Sequence, residues 1–273
     1  IFPSSILHIV TAQYSQRVLI VYKEANNFVF QVYNTSDFSA LYEVVVPASE
    51  EIPDISYLSC SPKLSRFTFT IDKKSFYIYN LPKSDMAIEK IQRVTTPPVR
   101  RSIDGAIITG LVVTNDELFN KYIYVLTNKT ILCFDIDKKG DLKLSFNEPD
   151  PFTPNPDQHL YCLNESQGKL YVCRGKTVSV YSNDKDTPKG QSHKKKEIIL
   201  EANPQRIEWF RQYIIAIYPD EVYKMKIYEP SSHCVFGAFP YGANIKFFLN
   251  EWSGLTLIRD NGELLVLDEP STE

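Results

Sequence analysis

Groups of short strand-like segments recur along the chain, and each group leads into a run of alternating apolar and polar residues just past a turn. These runs are Phe28–Tyr33, Phe76–Leu81, Ile131–Ile136, Val178–Tyr181, Val222–Tyr228 and Leu264–Leu267. Their centres lie about 41 to 55 residues apart. A four-stranded propeller blade repeats every ~40–50 residues. Before each run comes a more continuously apolar segment: Arg17–Tyr22, Tyr122–Leu126, Lys169–Cys173, Tyr213–Ile217 and Leu255–Ile258. A strand without alternation is buried on both faces, as in a sheet packed between two neighbours. Gln205–Glu229 holds about three strands of one unit: the first through Trp209, a buried second through Ile217, a third from Val222. One such sheet cannot cover both of its faces, so the unit has to recur. The expected fold is all-β, a propeller of about six to seven four-stranded blades in a single domain, 1–273. Six units can be counted, and Ile1–Val10 or residues past Glu273 would complete a seventh.

Composition agrees. Tyr (17) and Phe (16) are abundant, and such residues favour pleated, half-buried surfaces. Asn261-Gly262 is a hairpin signal, because a tight turn there wants positive φ. Helix signals are few: Ser84–Val94 could hold a turn or two, with Ser84 as N-cap. Ser182–Lys196 is polar and turn-rich and reads as a mobile loop, and Glu148–Gln158 as a Pro-rich connection. The net charge of −3 argues against a general nucleic-acid binder. The cysteines, Cys60, Cys133, Cys162, Cys173 and Cys234, are widely spaced and mostly sit in apolar runs, so they read as buried free thiols of a reducing compartment. No apolar run reaches the ~20 residues that span a bilayer. The chain does not start with Met and reads as a fragment of a longer protein.

No residue pattern carries catalysis. His8, His159, His193 and His233 form no metal-ligand spacing, and His233 and Cys234, adjacent in a strand, would point to opposite faces. Asp135, Asp137 and Asp141 resemble half of a calcium loop, but Lys139 and Phe146 stand where ligands belong, so a hairpin turn on Lys139-Gly140 is expected. His193–Lys196 is a basic run, weighed as a lipid contact against a solvated loop. Arg100-Arg101 is similar to the paired arginines of phosphoinositide-binding propellers, although Val99 and Ser102 flank it where that motif has Phe and Gly. Trp209 and Trp252 are expected to wedge between blades. The reading is therefore not an enzyme, with no cofactor and no metal.

The last quarter or so of the chain carries a resemblance. Ile198–Pro204, Ile207–Trp209, Tyr213–Ile217, Val222–Ile227, Phe236–Pro240, Trp252–Ile258 and Asn261-Gly262 resemble the end of a citron-homology (CNH) domain. Within that family, the chain is similar to the N-terminal propellers of the Rab-binding subunits of the CORVET and HOPS tethering complexes, including relatives of the TGF-β-receptor-associated protein. The resemblance implies a Rab-family GTPase and other tethering-complex subunits as partners. It further implies indirect membrane contact, a cytoplasmic place at the endosome or vacuole membrane, and an α-solenoid downstream. It transfers no partner-binding motif to named positions. The alternatives are a scaffold propeller of another large assembly, such as a coat or nuclear pore, and a phosphoinositide-binding propeller.

Overall fold

The computed structural model describes residues 6–12, 15–48, 55–82, 91–94, 96–114, 122–137, 141–153, 160–164, 167–183, 187–188, 191–210, 212–219, 225–230, 234–239, 245–251, 254–259 and 264–267; past residue 220 it describes backbone, with the side chains of Tyr228 and Pro230. Among these residues the chain forms β-strands in six sheets and no helix. Sheet 1 contains β1 (Ile6–Thr11), β2 (Arg17–Glu24), β3 (Asn27–Asn34) and β4 (Ala40–Pro47). Sheet 2 contains β5 (Tyr57–Cys60), β6 (Arg66–Thr70), β7 (Ser75–Asn80) and, after β8 (Gln92–Arg93), β9 (Val99–Ser102). Sheet 3 contains β10 (Ile108–Val113), β11 (Tyr122–Thr127), β12 (Ile131–Ile136) and β13 (Leu142–Glu148). Sheet 4 contains β14 (Tyr161–Asn164), β15 (Lys169–Arg174), β16 (Thr177–Ser182) and β17 (Lys194–Ile199). Sheet 5 contains β18 (Arg206–Phe210), β19 (Tyr213–Ile217), β20 (Met225–Glu229) and β21 (Cys234–Phe239). Sheet 6 contains β22 (Ile245–Glu251), β23 (Gly254–Arg259) and β24 (Leu264–Leu267). Neighbouring strands within these units are antiparallel, and β8 alone among the described strands adds in parallel, to β4.

This is a β-propeller. Consecutive sheets meet through their first strands: β10 lies against β5, and β14 against β18. Gly110 on β10 faces Tyr161 on β14 so closely that a Cβ would sit 3.0 Å from the ring. Every residue of β11 is buried, as its continuous apolar run requires. The cores lie between sheets. Phe28 and Phe30 of sheet 1 pack with Phe67 and Phe69 of sheet 2. Phe76 and Ile78 of sheet 2 pack with Ile123, Val125 and Phe134 of sheet 3. A third cluster joins sheets 3, 4 and 5 through Tyr124, Leu126, Val172, Ile207 and Ile214. Each such large apolar side chain contributes about 1.5–3 kcal/mol on burial.

The strands of Gln205–Glu229 fall where the pattern put them, as β18, β19 and β20, although Val222 lies outside the described residues. Three expectations change. Ile6–Thr11 does not begin a seventh blade; it pairs with β2 as the first strand of sheet 1, because Leu7 and Val10 pack onto the core shared with sheet 2. The segment read as a loop through Lys196 turns into β17 at Lys194, a fourth strand whose exposed positions suit lysine. At the end of the proposed helix, Gln92–Arg93 is extended instead, held by the edge of β4; Ser84–Lys90 lies outside the described residues, as does Asn261-Gly262.

The fourth strands share a repeat-level feature. In sheets 1, 3, 4 and 5 the fourth strand carries one extra residue opposite two successive third-strand residues, so Leu41, Ser145, Lys195 and Phe236 are bulged. The opposing pairs are Val32-Tyr33, Cys133-Phe134, Val180-Tyr181 and Ile227-Tyr228: an apolar residue, then an aromatic one. Bulges bend a strand and sharpen its twist.

Candidate functional surfaces

The residues with chemical potential are dispersed. His159, His233, Trp252 and the Lys139-Gly140 turn lie outside the described residues. Among the described residues no group of three or more His, Cys, Asp or Glu is placed to hold a metal ion. Asp137 Oδ1 accepts from the Asp141 amide at 2.8 Å, and the Asp137 amide donates to the Asp141 carbonyl at 3.0 Å. The half-calcium motif is therefore a hairpin neck between β12 and β13, as expected. Burial pushes the Cys133 and Cys162 thiols well above their usual range, and that of Cys173 up to about 12, against a weaker pull downward from Arg174. Protonated thiols in a core are poor nucleophiles. These three cysteines, and Cys60, are free.

Arg100 and Arg101 stand on β9 and take opposite faces. The Arg100 guanidinium lies 5.6 Å from the Tyr77 ring centroid, and that of Arg101 lies 5.9 Å from Phe134, across the sheet boundary. The pair does not converge on one anion. Lys194 pairs with Glu197 at 2.6 Å, Lys195 donates to Thr187 Oγ1 at 2.6 Å, and Lys196 donates to the Pro230 carbonyl. The basic run is thus an outer strand with its ammonium groups already engaged. Trp209 stacks on Tyr171 at 5.1 Å, tying β18 to β15, so it does wedge between blades.

Among the described residues a concave surface lies where sheets 3 and 4 adjoin. It is a groove of about 780 Å³ between β13 and the segment that follows β16. Its floor is a chain of polar bonds. The bulged Ser145 donates to Asn183 Oδ1 at 2.5 Å, Asn183 Nδ2 donates to Asp135 Oδ1 at 2.8 Å, and the Asn183 carbonyl accepts from Tyr122 Oη at 3.2 Å. The wall is set by His193, whose ring stacks on Phe146 at 4.3 Å and whose amide donates to Glu148 Oε1 at 2.5 Å. Sequence reading placed Asp135 in an abortive metal loop and Asn183 in a mobile one. Only the bulge opposite Cys133-Phe134 turns Ser145 onto Asn183, and no local pattern announces that contact.

No helix among the described residues is long and apolar enough to cross a membrane. A search of curated proteins returns no match. The sequence matches a protein family, described as PEP5/VPS11 N-terminal, over residues 2–269. The chain therefore belongs to the PEP5/VPS11 N-terminal family, whose members supply a domain of a vacuolar and endosomal tethering-complex subunit.

Proposed function

We propose that the chain is a non-catalytic interaction propeller of the tethering machinery that recognises a membrane-bound Rab-family GTPase, alongside other subunits of the complex. The family match over residues 2–269 is the observation that supports this most. The fold supports it further. A propeller presents rigid rims and loops, and an interface of ~800 Å² per partner fits on such a surface. The citron-homology resemblance of roughly the last quarter points the same way. On this reading residues 1–273 are one domain ahead of an α-solenoid, and the membrane is reached through the GTPase.

The test is capture of purified endosomal and vacuolar Rab proteins loaded with GDP or with a non-hydrolysable GTP analogue. The reading expects at least tenfold stronger capture of the GTP-analogue form of one Rab. Equal capture of both forms, or none, would sink it. A purely structural place in the same complex is the second reading, favoured by the match being to a subunit's N-terminal domain. It expects constitutive co-purification with other subunits and no dependence on nucleotide.

A further inference from the structure

The outer edges of the sheets are protected unequally. On sheet 1, β8 lies beside β4 as a fifth strand, with Tyr42 opposite Gln92 and Glu43 opposite Arg93. The Val94 amide donates to the Glu43 carbonyl at 2.9 Å, and Arg93 pairs with the Glu43 carboxylate at 3.0 Å. On sheets 2 and 4 the outer strands carry charge, Arg100-Arg101 on β9 and Lys194–Lys196 on β17. Charged residues on an edge strand discourage another strand from adding there. The edge of sheet 3 has no added strand, and its charge is confined to Lys143 and Glu148 near its two ends, with the bulge at Ser145 between them. β13 offers one lysine, Lys143, then Leu144, which is 45 % exposed, then Ser145. Among the described residues no strand pairs with its outer side.

That bare edge is also where the groove runs. Every residue from Lys143 to Glu148 lines it. At ~3.3 Å per residue, this length takes an extended segment of about six residues. Two carboxylates, Asp135 and Glu148, line it with Lys143 and His193, and the Lys195 ammonium at its far side is engaged by Thr187. Each carboxylate uses one oxygen in the bonds to Asn183 and His193 described above. The β4–β8 pair shows, within this molecule, an outer edge taking an added strand with an arginine set against a glutamate.

We propose that the outer edge of β13 is a docking site for an extended, basic segment of a partner protein, which joins sheet 3 as a fifth strand with basic side chains toward Asp135 and Glu148. Backbone bonds would supply the attachment and the carboxylates the selectivity. An anionic lipid surface fits poorly against two carboxylates. This site is independent of the Rab reading, and its probes contain no GTPase, so either can fail without the other.

The experiment uses three synthetic peptides with the protein: acetyl-KVKVKVK-amide, its acidic counterpart acetyl-EVEVEVE-amide, and the basic peptide with alternate backbone nitrogens methylated. Fluorescence anisotropy reads binding, and hydrogen exchange reads protection of residues 142–148. The expected result is saturable binding of the basic peptide, at least tenfold tighter than the acidic one. It includes slowed exchange in β13 and at least a tenfold loss on backbone methylation. Glu148→Gln, whose amide oxygen can still accept from the His193 amide, is expected to weaken the basic peptide several-fold without moving the melting temperature. Absence of saturable binding, equal affinity for the basic and acidic peptides, tolerance of methylation, or protection in a different strand would each overturn the proposal. So would protection of β13 that grows with protein concentration alone, which would assign the edge to a second copy of the chain.

Discussion

Between sheets 1 and 2 the middle of the packing is a stack of rings, with polar bonds from Arg17 to one side, whereas between sheets 3 and 4 tyrosine hydroxyls cross the packing itself. On the first boundary Phe30 lies 5.0 Å from Phe67 and 4.6 Å from Phe69, and Phe67 lies 5.4 Å from Tyr79. On the second, Tyr124 Oη donates to the Gly168 carbonyl at 2.6 Å, and Tyr122 Oη to that of Asn183. Nearby, Thr109 Oγ1 donates to the Phe152 carbonyl at 2.5 Å, on the linker entering sheet 4. The contrast has physical content. Ring stacking is large in energy and tolerant of small slides, because it is proportional to area. A polar crossing contributes less but fixes the relative position of two sheets, because a donor left without its carbonyl is penalised. The groove sits on the boundary that is fixed in this way.

The comparison breaks most readily at Phe67. It is fully buried, and Phe67→Ala leaves a cavity between two sheets. The expected loss is about 3–5 kcal/mol in chemical denaturation. A loss below about 1 kcal/mol would mean that the stack is not what joins these sheets. Gly110→Ala probes the other boundary, since the new methyl would meet Tyr161 ring carbons at 3.0 Å. The ring is part of a packed core, so a loss of about 1–3 kcal/mol is expected. An unchanged melting temperature would show that β10 and β14 can move apart freely. Tyr124→Phe removes one crossing bond and leaves the Gly168 carbonyl without that donor. Its expected loss is about 1–2 kcal/mol. Because the bond acts on position, faster hydrogen exchange is expected in β14 and β15 and not in β2 or β6. Acceleration in sheet 1 as well would erase the distinction between the two boundaries.

The ring-stacked boundary was legible in the sequence; the polar one was not. Phe28–Tyr33 and Phe76–Leu81 announce strands through alternation, and their aromatic residues pack wherever two such sheets meet. Partners such as Asn183 and Ser145 are polar residues far apart in sequence, joined only after a bulge shifts the register of β13. A single sequence gives each of them a local reading, turn or loop. The fourth strands escaped for a related reason. They are outer and half-exposed, so Lys194–Ile199 lacks the apolar density that marked the second strands. Arg17 illustrates the same limit inside a recognised strand. It opens the apolar run of β2, yet it is buried and donates to the Leu64 and Pro82 carbonyls of sheet 2, each at 3.3 Å at the closest.

Alkali gives the smallest and most selective test of the contrast. Three of the described cysteines, Cys133, Cys162 and Cys173, are buried in the core joining sheets 3 to 5. Burial raises the Cys173 thiol from 9.0 to about 12. The folded state therefore keeps its proton where the unfolded chain releases it. The stability this contributes is complete below pH ~9 and is lost as the pH rises toward 12. For Cys173 alone the expected loss is about 1 kcal/mol by pH 10, from one proton per molecule over about one pH unit. Cys173→Ala removes that proton, so the gap between wild type and variant, measured by denaturation at pH 8 and pH 10, should narrow by about this amount. A constant gap would mean that the thiol reaches solvent in the folded state. Hydrogen exchange at pH 10 adds the regional reading: sheets 3 to 5 should loosen before the ring-stacked pair, because the larger share of buried thiols lies among them.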